Sequence, residues 1–433
     1  MGRSAAKERI LYDFRKYVSP GKADFFQKYG MDFVMGKREG AFIYDIDGEK
    51  RLFNLHCNGG VFNLGHRDEE LIELLRVSLE EIDIGNHHLM SRERANLARQ
   101  LAELMPRDLN YSVFGVSGGE AVDLAIKVAR GFTQRSKIIS ARGGYHGHTG
   151  LALATGDEHY RKPFGPQPPG FFQIPFGDLE LLNAEADEDT AAIILETIPA
   201  TLGIVIPSLE YMQGVRQLCD SLGIILILDE VQTGFGRTGK LWAFEHFEII
   251  PDIVVLGKGM SGGIYPITAT VLRQPLESVF HDDPFIHIST FGGAEPGCRL
   301  AQRVLEISSD LKFLDNVRRL SQLFTDGLME LQNRHGKFLK GWRQLGLMIG
   351  LELRDELSGP LLTKTAYEND LLMVYAGNNT SISQLLPPLI MNKSDVTYVM
   401  DRLNRALGSA KKLRPLAKAK YGLRKFIMKK GDR

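Results

Sequence analysis

Two residues of opposite charge stand just past apolar stretches near the middle of the chain. Asp229 follows the run IILIL at 224–228, and Lys258 follows DIVVL at 252–256 and one glycine. Ligands of open α/β sheets bind beyond the carboxyl ends of the strands, and the 29 positions between the two residues match a crossover unit. A lysine and an acid facing one crevice suggest pyridoxal phosphate, because the lysine forms its Schiff base and the acid pairs with its pyridinium nitrogen. Taken singly, the lysine could be a surface residue and the aspartate a turn or cap residue.

A cofactor of this kind also needs a phosphate site, and a glycine-rich helix start offers one. Ser117, Gly118 and Gly119 lead into a stretch in which apolar residues recur at helical spacing: Val122, Ala125, Ile126, Ala129 and Phe132. Free N–H groups at a helix N-terminus attract phosphate, and glycines let it approach closely. Tyr145 and His146 follow before a later strand, where an aromatic ring could cover the cofactor. The alternatives are an ordinary glycine entry to a helix and a loop aromatic that packs on its own domain.

Three glycines beyond Asp229 match two nucleotide-binding patterns. Gly234, Gly236 and Gly239 fit G-x-G-x-x-G, and with Lys240 they fit most of a P-loop. The first pattern belongs directly after the first strand of its domain, whereas these glycines follow a late strand in mid-chain. A P-loop requires Ser or Thr after Gly-Lys, and Leu241 stands there. We therefore expect these glycines to let a surface loop turn rather than to bind a nucleotide.

Composition places the chain among ordinary globular proteins. Its 433 residues exceed the size of a single hydrophobic core, so two or three domains are expected. Lys plus Arg and Asp plus Glu both number 53, which removes any charge-based argument for a nucleic-acid or membrane partner. The three cysteines (Cys57, Cys219 and Cys298) are too few and too scattered for a disulfide framework or a cysteine-rich metal site. Because the first residues lack an apolar signal core and no apolar run has spanning length, we expect a cytoplasmic protein.

The order of predicted elements indicates an α/β domain with a smaller companion. Residues 1–67 contain short strands around the hairpin turn DIDG and are predicted to form a cap. Residues 68–305 begin with amphipathic helices and continue with apolar strands that alternate with helices, a pattern typical of a mostly parallel sheet. Residues 306–433 are predicted to form a C-terminal small domain, with a late helix that ends at Gly408 and a basic tail.

Taken together, these motifs resemble the class III aminotransferases of pyridoxal-phosphate fold type I. The resemblance extends from GHRDEEL at residue 65 to PPL at residue 387, and LDEVQTGFGRTGK followed by WAFEH, PDI and LGKG is highly specific. The ornithine, acetylornithine, putrescine and 4-aminobutyrate enzymes are the most similar group. The resemblance implies a large sheet domain flanked by helices, with a small α+β domain that the N- and C-terminal segments build together. It also implies a homodimer with shared active sites.

The resemblance also assigns roles to individual residues. It implies that Lys258 is the Schiff-base lysine, that Asp229 binds the pyridine nitrogen and that Gln232 approaches the ring hydroxyl. Gly118 and Gly119 would take the phosphate, and Tyr145 would stack on the ring. Two further residues complete the implied cofactor site. Thr290 would reach the phosphate across the dimer interface, and Glu196 matches a family acid near the cofactor.

The substrate side departs from the family pattern. Thr201 stands where relatives have a second acid, and Gln384 stands where they have the arginine that grips the α-carboxylate of glutamate. Arg161 could reach the site instead. The sequence therefore predicts a ping-pong aminotransferase that uses 2-oxoglutarate poorly and prefers pyruvate, another oxo-acid, or a neutral amine and aldehyde. An epimerase or aminomutase using Lys258 and Asp229, and a binding protein with a dead site, are the alternatives.

The last stretch of the sequence is basic. From Lys411 onward it contains ten Lys or Arg residues against one acid, Asp432. A solvated helix or frayed terminus accounts for such a tail. An anionic partner, such as a carrier protein, is the alternative.

Overall fold

The residues that the structure describes form three sheets with helices around them. The computed structural model describes the backbone of residues 4–431 and the side chains of residues 4–419. The described strands are β1 (Met35–Glu39), β2 (Phe42–Asp45), β3 (Arg51–Asn54), β4 (Leu109–Gly115), β5 (Lys137–Arg142), β6 (Phe171–Pro175), β7 (Thr190–Glu196), β8 (Ile225–Asp229), β9 (Ile253–Leu256), β10 (Thr268–Arg273), β11 (Leu339–Leu345), β12 (Met348–Leu353), β13 (Leu371–Leu372), β14 (Val374–Ala376) and β15 (Asn379–Leu385). The described α-helices are α1 (Ala5–Asp13), α2 (Pro20–Lys28), α3 (Cys57–Gly60), α4 (Glu69–Glu81), α5 (Arg92–Leu104), α6 (Gly118–Thr133), α7 (Gly150–Thr155), α8 (Glu158–Arg161), α9 (Leu179–Glu185), α10 (Leu209–Leu222), α11 (Glu295–Ser309), α12 (Leu311–His335), α13 (Ser358–Glu368) and α14 (Lys393–Gly431).

The largest sheet has seven strands in the order β4-β10-β9-β8-β7-β5-β6. The strands from β6 to β9 in that order run parallel to one another, whereas β10 is antiparallel to both β9 and β4. Every residue of β7, β8 and β9 is buried. Parallel strands covered on both faces need apolar side chains on both, which explains the unbroken apolar runs in the sequence. The predicted α/β fold with a mostly parallel sheet is confirmed.

Helices cover both faces of this sheet. Along β8, Ile225 and Ile227 pack on one face in a core shared with α6. Leu226 and Leu228 pack on the other face, in a core that includes Val215 of α10. Successive side chains of a strand point to opposite faces, so the apolar run of β8 contributes to both cores. Polar residues can therefore stand only at its carboxyl end.

The two ends of the chain combine in a smaller unit. β13 adds to the N-terminal hairpin in the order β1-β2-β3-β13, with Leu371 opposite Phe53 in a parallel register. A second sheet has the order β11-β12-β15-β14. Phe53 shares its core with Leu371 and with Val399 of α14. The N- and C-terminal segments therefore build one small α+β unit, as the sequence predicts.

The expectation that the late helix ends at Gly408 is wrong. α14 continues through this position to Gly431. A glycine inside a helix costs about 1 kcal/mol relative to alanine. On either side of it, Leu407 and Ala410 are fully buried in the core of the small unit, and this burial outweighs the local propensity.

The domain limits expected at residues 67 and 305 stay predictions. α11 runs across the second of these limits. The basic tail begins inside α14, but its side chains from residue 420 onward lie outside the described residues. An anionic partner for the tail therefore stays a prediction. Among the described residues, every helix is too short or too polar to cross a membrane.

Candidate active site

The carboxyl ends of three neighbouring strands bring two acids and a lysine together. Glu196 ends β7 and lies opposite Asp229, which ends β8. Lys258 follows β9 by two residues. All three side chains line a cavity of about 590 Å³. The crevice that the sequence predicts at this sheet edge therefore exists, and it contains both residues of the predicted lysine–aspartate pair.

The Lys258 amine is closely surrounded by other residues. Its Nζ donates a hydrogen bond to Gln232 Oε1 at 3.1 Å. A Cβ at Gly59 would lie 2.9 Å from Nζ, so the glycine of α3 leaves room for the amine. Burial lowers the pKa of Lys258, although the charges of Asp229 and Glu196 oppose this shift. The lowered pKa favours the neutral amine, which is the form that acts as a nucleophile or base.

Asp229 is held by two donors. Its Oδ2 lies 2.8 Å from His146 Nδ1, and its Oδ1 accepts a hydrogen bond from Val231 N at 3.0 Å. Burial by itself lowers the pKa of His146, but the hydrogen bond and charge of Asp229, helped by Glu196, reverse the shift and raise it. The other ring nitrogen, Nε2, is buried without a hydrogen-bond partner among the described residues.

Glu196 has a different environment from Asp229. It accepts a hydrogen bond from Tyr145 N at 2.9 Å. Burial raises the pKa of the Glu196 carboxyl to about 7, with His146 lowering it and Asp229 raising it. The acid therefore ties the turn that carries Tyr145 to the end of β7. The Tyr145 ring itself lines the cavity and lies 5.0 Å from the ring of His148.

The start of α6 forms another part of the cavity wall. Ser117 caps this helix, and its hydroxyl accepts a hydrogen bond from Glu120 N at 3.2 Å. A Cβ at Gly119 would lie 2.6 Å from Thr149 Oγ1, whereas a Cβ at Gly118 would meet Val231 at an ordinary 3.4 Å. Gly119 therefore allows a close approach that a larger residue would block. The first N–H groups of a helix lack partners within it, so this wall suits a phosphate.

These observations together test whether pyridoxal phosphate suits the cavity. The helix start and the Thr149 hydroxyl offer donors to a phosphate. Asp229 offers a carboxylate to a protonated ring nitrogen, and Lys258 offers an amine for covalent attachment. The residues fit the cofactor. Thr149 and His148 also line the cavity and were missed from the sequence, although they lie just after Tyr145 and His146.

Four residues of the predicted site lie outside this cavity. Thr201 donates its hydroxyl to Gly143 O at 2.9 Å, and Gln384 donates its amide to Ala200 O at 2.8 Å. Arg161 lies 3.4 Å from Ala154 O through Nη1. The fourth residue, Thr290, is exposed on a loop before α11. Within one chain the structure does not bring these four to the lysine.

The segment after Asp229 is a buried connection, so the expectation of a surface loop is wrong. Thr233 to Gly239 are all buried. Arg237 donates to the carbonyls of Leu347 and Pro387, at 3.1 and 2.6 Å, and so joins this segment to the small unit. The residues that cover this loop are distant in the sequence, so its local glycine pattern does not indicate that it is buried.

Glu230 holds the same segment at its other end. This buried carboxylate accepts four hydrogen bonds, and the donors are Thr197 Oγ1, Thr233 Oγ1, Ala243 N and Phe244 N, at 2.6 to 3.0 Å. Burial raises the pKa of Glu230 to about 7, and all four donors oppose that shift. Of the two adjacent acids at the end of β8, Asp229 faces the cavity and Glu230 faces the protein.

Comparison with known proteins agrees with this geometry. The chain belongs to the family described as aminotransferase class-III, whose family model matches residues 26–407. An uncharacterized aminotransferase from Archaeoglobus fulgidus is 52% identical over 95% of this chain and 96% of its own length. The putrescine aminotransferase of Pectobacterium atrosepticum is 34% identical over 92% of this chain and 88% of its own.

Solved structures give the same family. One structure of the ornithine aminotransferase from Toxoplasma gondii is 27% identical, covers 95% of this chain and 97% of its own, and has a TM-score of 0.86. A second structure of that enzyme, described as having partial occupancy of PLP at its active site, has a TM-score of 0.83 with 26% identity, over 96% of this chain and 100% of its own. The protein is therefore a pyridoxal-phosphate-dependent transaminase of fold type I. The family, fold, cofactor and enzyme class expected from the sequence are confirmed.

Proposed function

We propose that this transaminase moves an amino group between an amine or amino acid and an oxo-acid or aldehyde other than 2-oxoglutarate. One observation carries the substrate proposal. Among the described residues that line the cavity, Lys258 is the one Lys or Arg. A dicarboxylate would bring two negative groups into a site whose walls also include the acids Glu196 and Asp229. The amide of Gln384 is engaged with Ala200 O, so it does not replace an arginine there.

The proposed mechanism assigns each residue one task. When bound, pyridoxal phosphate acts as an electron sink that stabilises a carbanion at the substrate α-carbon. Asp229, held by His146, would keep a proton on the cofactor ring nitrogen because a nearby negative charge favours the protonated form. Lys258 would attach the cofactor and, once released by substrate, move a proton at the α-carbon as a general base with a lowered pKa. The start of α6 with Gly118 and Gly119 would take the phosphate.

The remaining site roles are proposed on the same basis. Gln232 Oε1 faces the Lys258 amine and would approach the ring hydroxyl, and Tyr145 would cover the ring. Thr290 would complete the phosphate site of a second copy, which makes the enzyme a homodimer. The exposed loop around it supports this proposal because it carries exposed apolar residues, namely Phe285, Ile286, Ile288 and Phe291. The cysteines are free and buried, which suits the reducing cytoplasm proposed as its location.

A single-turnover experiment tests the substrate proposal. The enzyme is loaded with pyridoxamine phosphate, and pyruvate or 2-oxoglutarate is added as the amino-group acceptor. Absorbance then follows the return of the cofactor to pyridoxal phosphate. A lost hydrogen bond to a charged group corresponds to roughly 1.5–3 kcal/mol, so 2-oxoglutarate should bind about ten- to a hundredfold more weakly than in an arginine-bearing relative. Faster and tighter reaction with 2-oxoglutarate than with pyruvate would contradict the proposal.

Two further measurements complete this test. Gln384→Arg should improve the use of 2-oxoglutarate, and a variant without improvement would show that position 384 is not the relevant one. An ¹⁵N-labelled amine donor should lose its label to the acceptor. Retention of the label in the product, with no second substrate required, would instead indicate an isomerase.

A further inference from the structure

A junction of three chain segments lies directly beside the turn that carries Tyr145. At its centre, the carbonyl oxygen of Gly143 accepts two side-chain hydrogen bonds, from Thr201 Oγ1 at 2.9 Å and from Asn378 Nδ2 at 2.8 Å. The N–H of Gly143 donates to Asp157 Oδ1 at 2.9 Å. One residue just after β5 is therefore held at both of its backbone polar groups.

Asn378 comes from the small unit, far from Gly143 in sequence. It lies in the tight turn between β14 and β15, and its own N–H donates to Thr201 O at 3.0 Å. Asn378 and Thr201 are thus bonded to each other and to the same carbonyl. Through this turn, β14 and β15 reach the loop after β5.

The junction has little room to relax. Gly143 has a φ of 80°, a left-handed angle that favours glycine. A Cβ at this position would lie 2.7 Å from Leu202 Cδ1. The Gly143 carbonyl that Asn378 contacts therefore stands at a position that only glycine fills without strain.

Two paths connect this junction to Tyr145. The backbone path is short, because Gly143 and Tyr145 are only two positions apart. Along it, Gly144 N donates to Ala141 O at 3.1 Å and Tyr145 N donates to Glu196 Oε2 at 2.9 Å. The side-chain path runs through rings. The ring of His148 lies 5.0 Å from that of Tyr145 and 5.1 Å from that of Tyr160, whose hydroxyl is 3.5 Å from Asn378 Oδ1.

We propose that Asn378 is a positioning residue which, together with Thr201, fixes the Gly143 carbonyl and so sets where the Tyr145 ring lies in the cavity. The seating of the small unit on the large sheet is thereby linked to the placement of that ring. This inference rests on the proposed role of Tyr145 over the cofactor. It also gives Thr201 a task at a position where the sequence suggests a substrate contact.

The test compares two neighbouring asparagines, one in the turn before β15 and one at the start of β15. Asn378→Ala removes a donor to Gly143, whereas Asn379→Ala removes a side chain that accepts hydrogen bonds from Ser381 of the same strand. For each variant, pyridoxal phosphate is titrated into apoenzyme to obtain its dissociation constant, and the visible circular dichroism of the bound cofactor is recorded. Asn378→Ala should raise the dissociation constant by about three- to tenfold, the ratio that corresponds to one ordinary hydrogen bond, and should change the dichroism. Asn379→Ala should change neither.

A double-mutant cycle with Tyr145 separates positioning from a general structural effect. In a Tyr145→Ala background, Asn378→Ala should alter the dissociation constant by less than about twofold, because the ring it places is gone. Thr201→Val keeps the shape of the side chain and removes the second donor to Gly143. It should have the same effects as Asn378→Ala, and it replaces Asn378→Ala in the test if that variant fails to fold.

Equal effects of Asn378→Ala with and without the Tyr145 ring would overturn the proposal, as would equal effects of the two asparagine variants. If Tyr145→Ala by itself leaves cofactor binding and dichroism unchanged, the role of Tyr145 is wrong and the inference falls with it. If Tyr145→Ala weakens binding but Asn378→Ala and Thr201→Val do not, the inference alone is wrong.

Discussion

His146 Nδ1 lies 2.8 Å from Asp229 Oδ2, and both side chains are buried. The contact joins the residue after Tyr145 to the end of β8, so the aromatic turn and the acid that would face the cofactor ring form one unit. A buried carboxylate without such a partner would be costly. The imidazole therefore supports the charge of Asp229 at the place where the proposed chemistry needs it.

This pair predicts a pH-dependent contribution to stability. The folded-state pKa of His146 is raised above its ordinary value, so the folded protein binds the proton more tightly than the unfolded chain. The stabilisation is fully present below about pH 6.5, the ordinary value, and is lost as pH rises through the raised pKa. In urea unfolding of apoenzymes, the advantage of wild type over His146→Asn should shrink as pH rises above about 6.5. An advantage that stays constant or grows would contradict the assignment.

Lys258→Ala tests the proposed covalent attachment. The variant should lose the visible absorbance of covalently attached cofactor, while the contacts at the helix start and at Asp229 still permit noncovalent binding. Loss of the general base alone lowers turnover by about 10²- to 10⁴-fold, and loss of attachment adds to this. Absorbance like that of wild type would show that the lysine is misassigned.

Mixing two variants, each assayed at a cofactor concentration at which it is inactive alone, tests the proposed shared site. Equal amounts of Lys258→Ala and Thr290→Ala chains, unfolded and refolded together, should give hybrids in half of the dimers, each with one intact site of two. Activity should therefore recover to about a quarter of wild type. Each variant refolded alone is the control. No recovery in a mixture shown to contain hybrids, or full activity of a monomer by light scattering, would contradict the shared site.

The two adjacent glycines at the start of α6 give a matched pair of variants. Gly119→Ala places a methyl group 2.6 Å from Thr149 Oγ1, whereas Gly118→Ala makes an ordinary contact at 3.4 Å. Gly119→Ala should weaken pyridoxal phosphate binding by about tenfold, the cost of displacing one hydroxyl donor, and Gly118→Ala should have a smaller effect. Adding Thr149→Ser to Gly119→Ala should relieve part of the clash. If cofactor titrations show that Gly118→Ala weakens binding more than Gly119→Ala, the close approach at Gly119 is not needed.

Glu230→Gln tests the carboxylate that holds the segment after β8. At about pH 8 the carboxylate form accepts four donors, and an amide NH₂ group would face donors at one of the two oxygen positions. We expect a loss of about 1–3 kcal/mol in the free energy of unfolding, the cost of leaving buried donors unpaired. Thr233→Val removes one donor and should cost less. Urea unfolding measures both, and an unchanged midpoint for Glu230→Gln would refute this assignment.

The sequence by itself determined the fold class and the lysine–aspartate pair. β8 and β9 are buried on both faces, so their apolar runs end where the sheet ends, and the first polar residues after them lie at its carboxyl edge. Asp229 and Lys258 are defined by that local pattern. The start of α6 is equally local, because capping by Ser117 and the glycines after it lie within a single turn.

Tertiary structure decided the features that depend on distant segments. Thr201 and Gln384 bond to backbone carbonyls of other loops, and no local pattern reveals which carbonyl will be near. The glycines after Asp229 are buried because Arg237 reaches carbonyls more than a hundred residues away. α14 continues past Gly408 because Leu407 and Ala410, on either side of it, are buried in the core of the small unit. In each case the deciding free energy comes from contacts between segments remote in the chain, which outweigh local propensity only once the fold has formed.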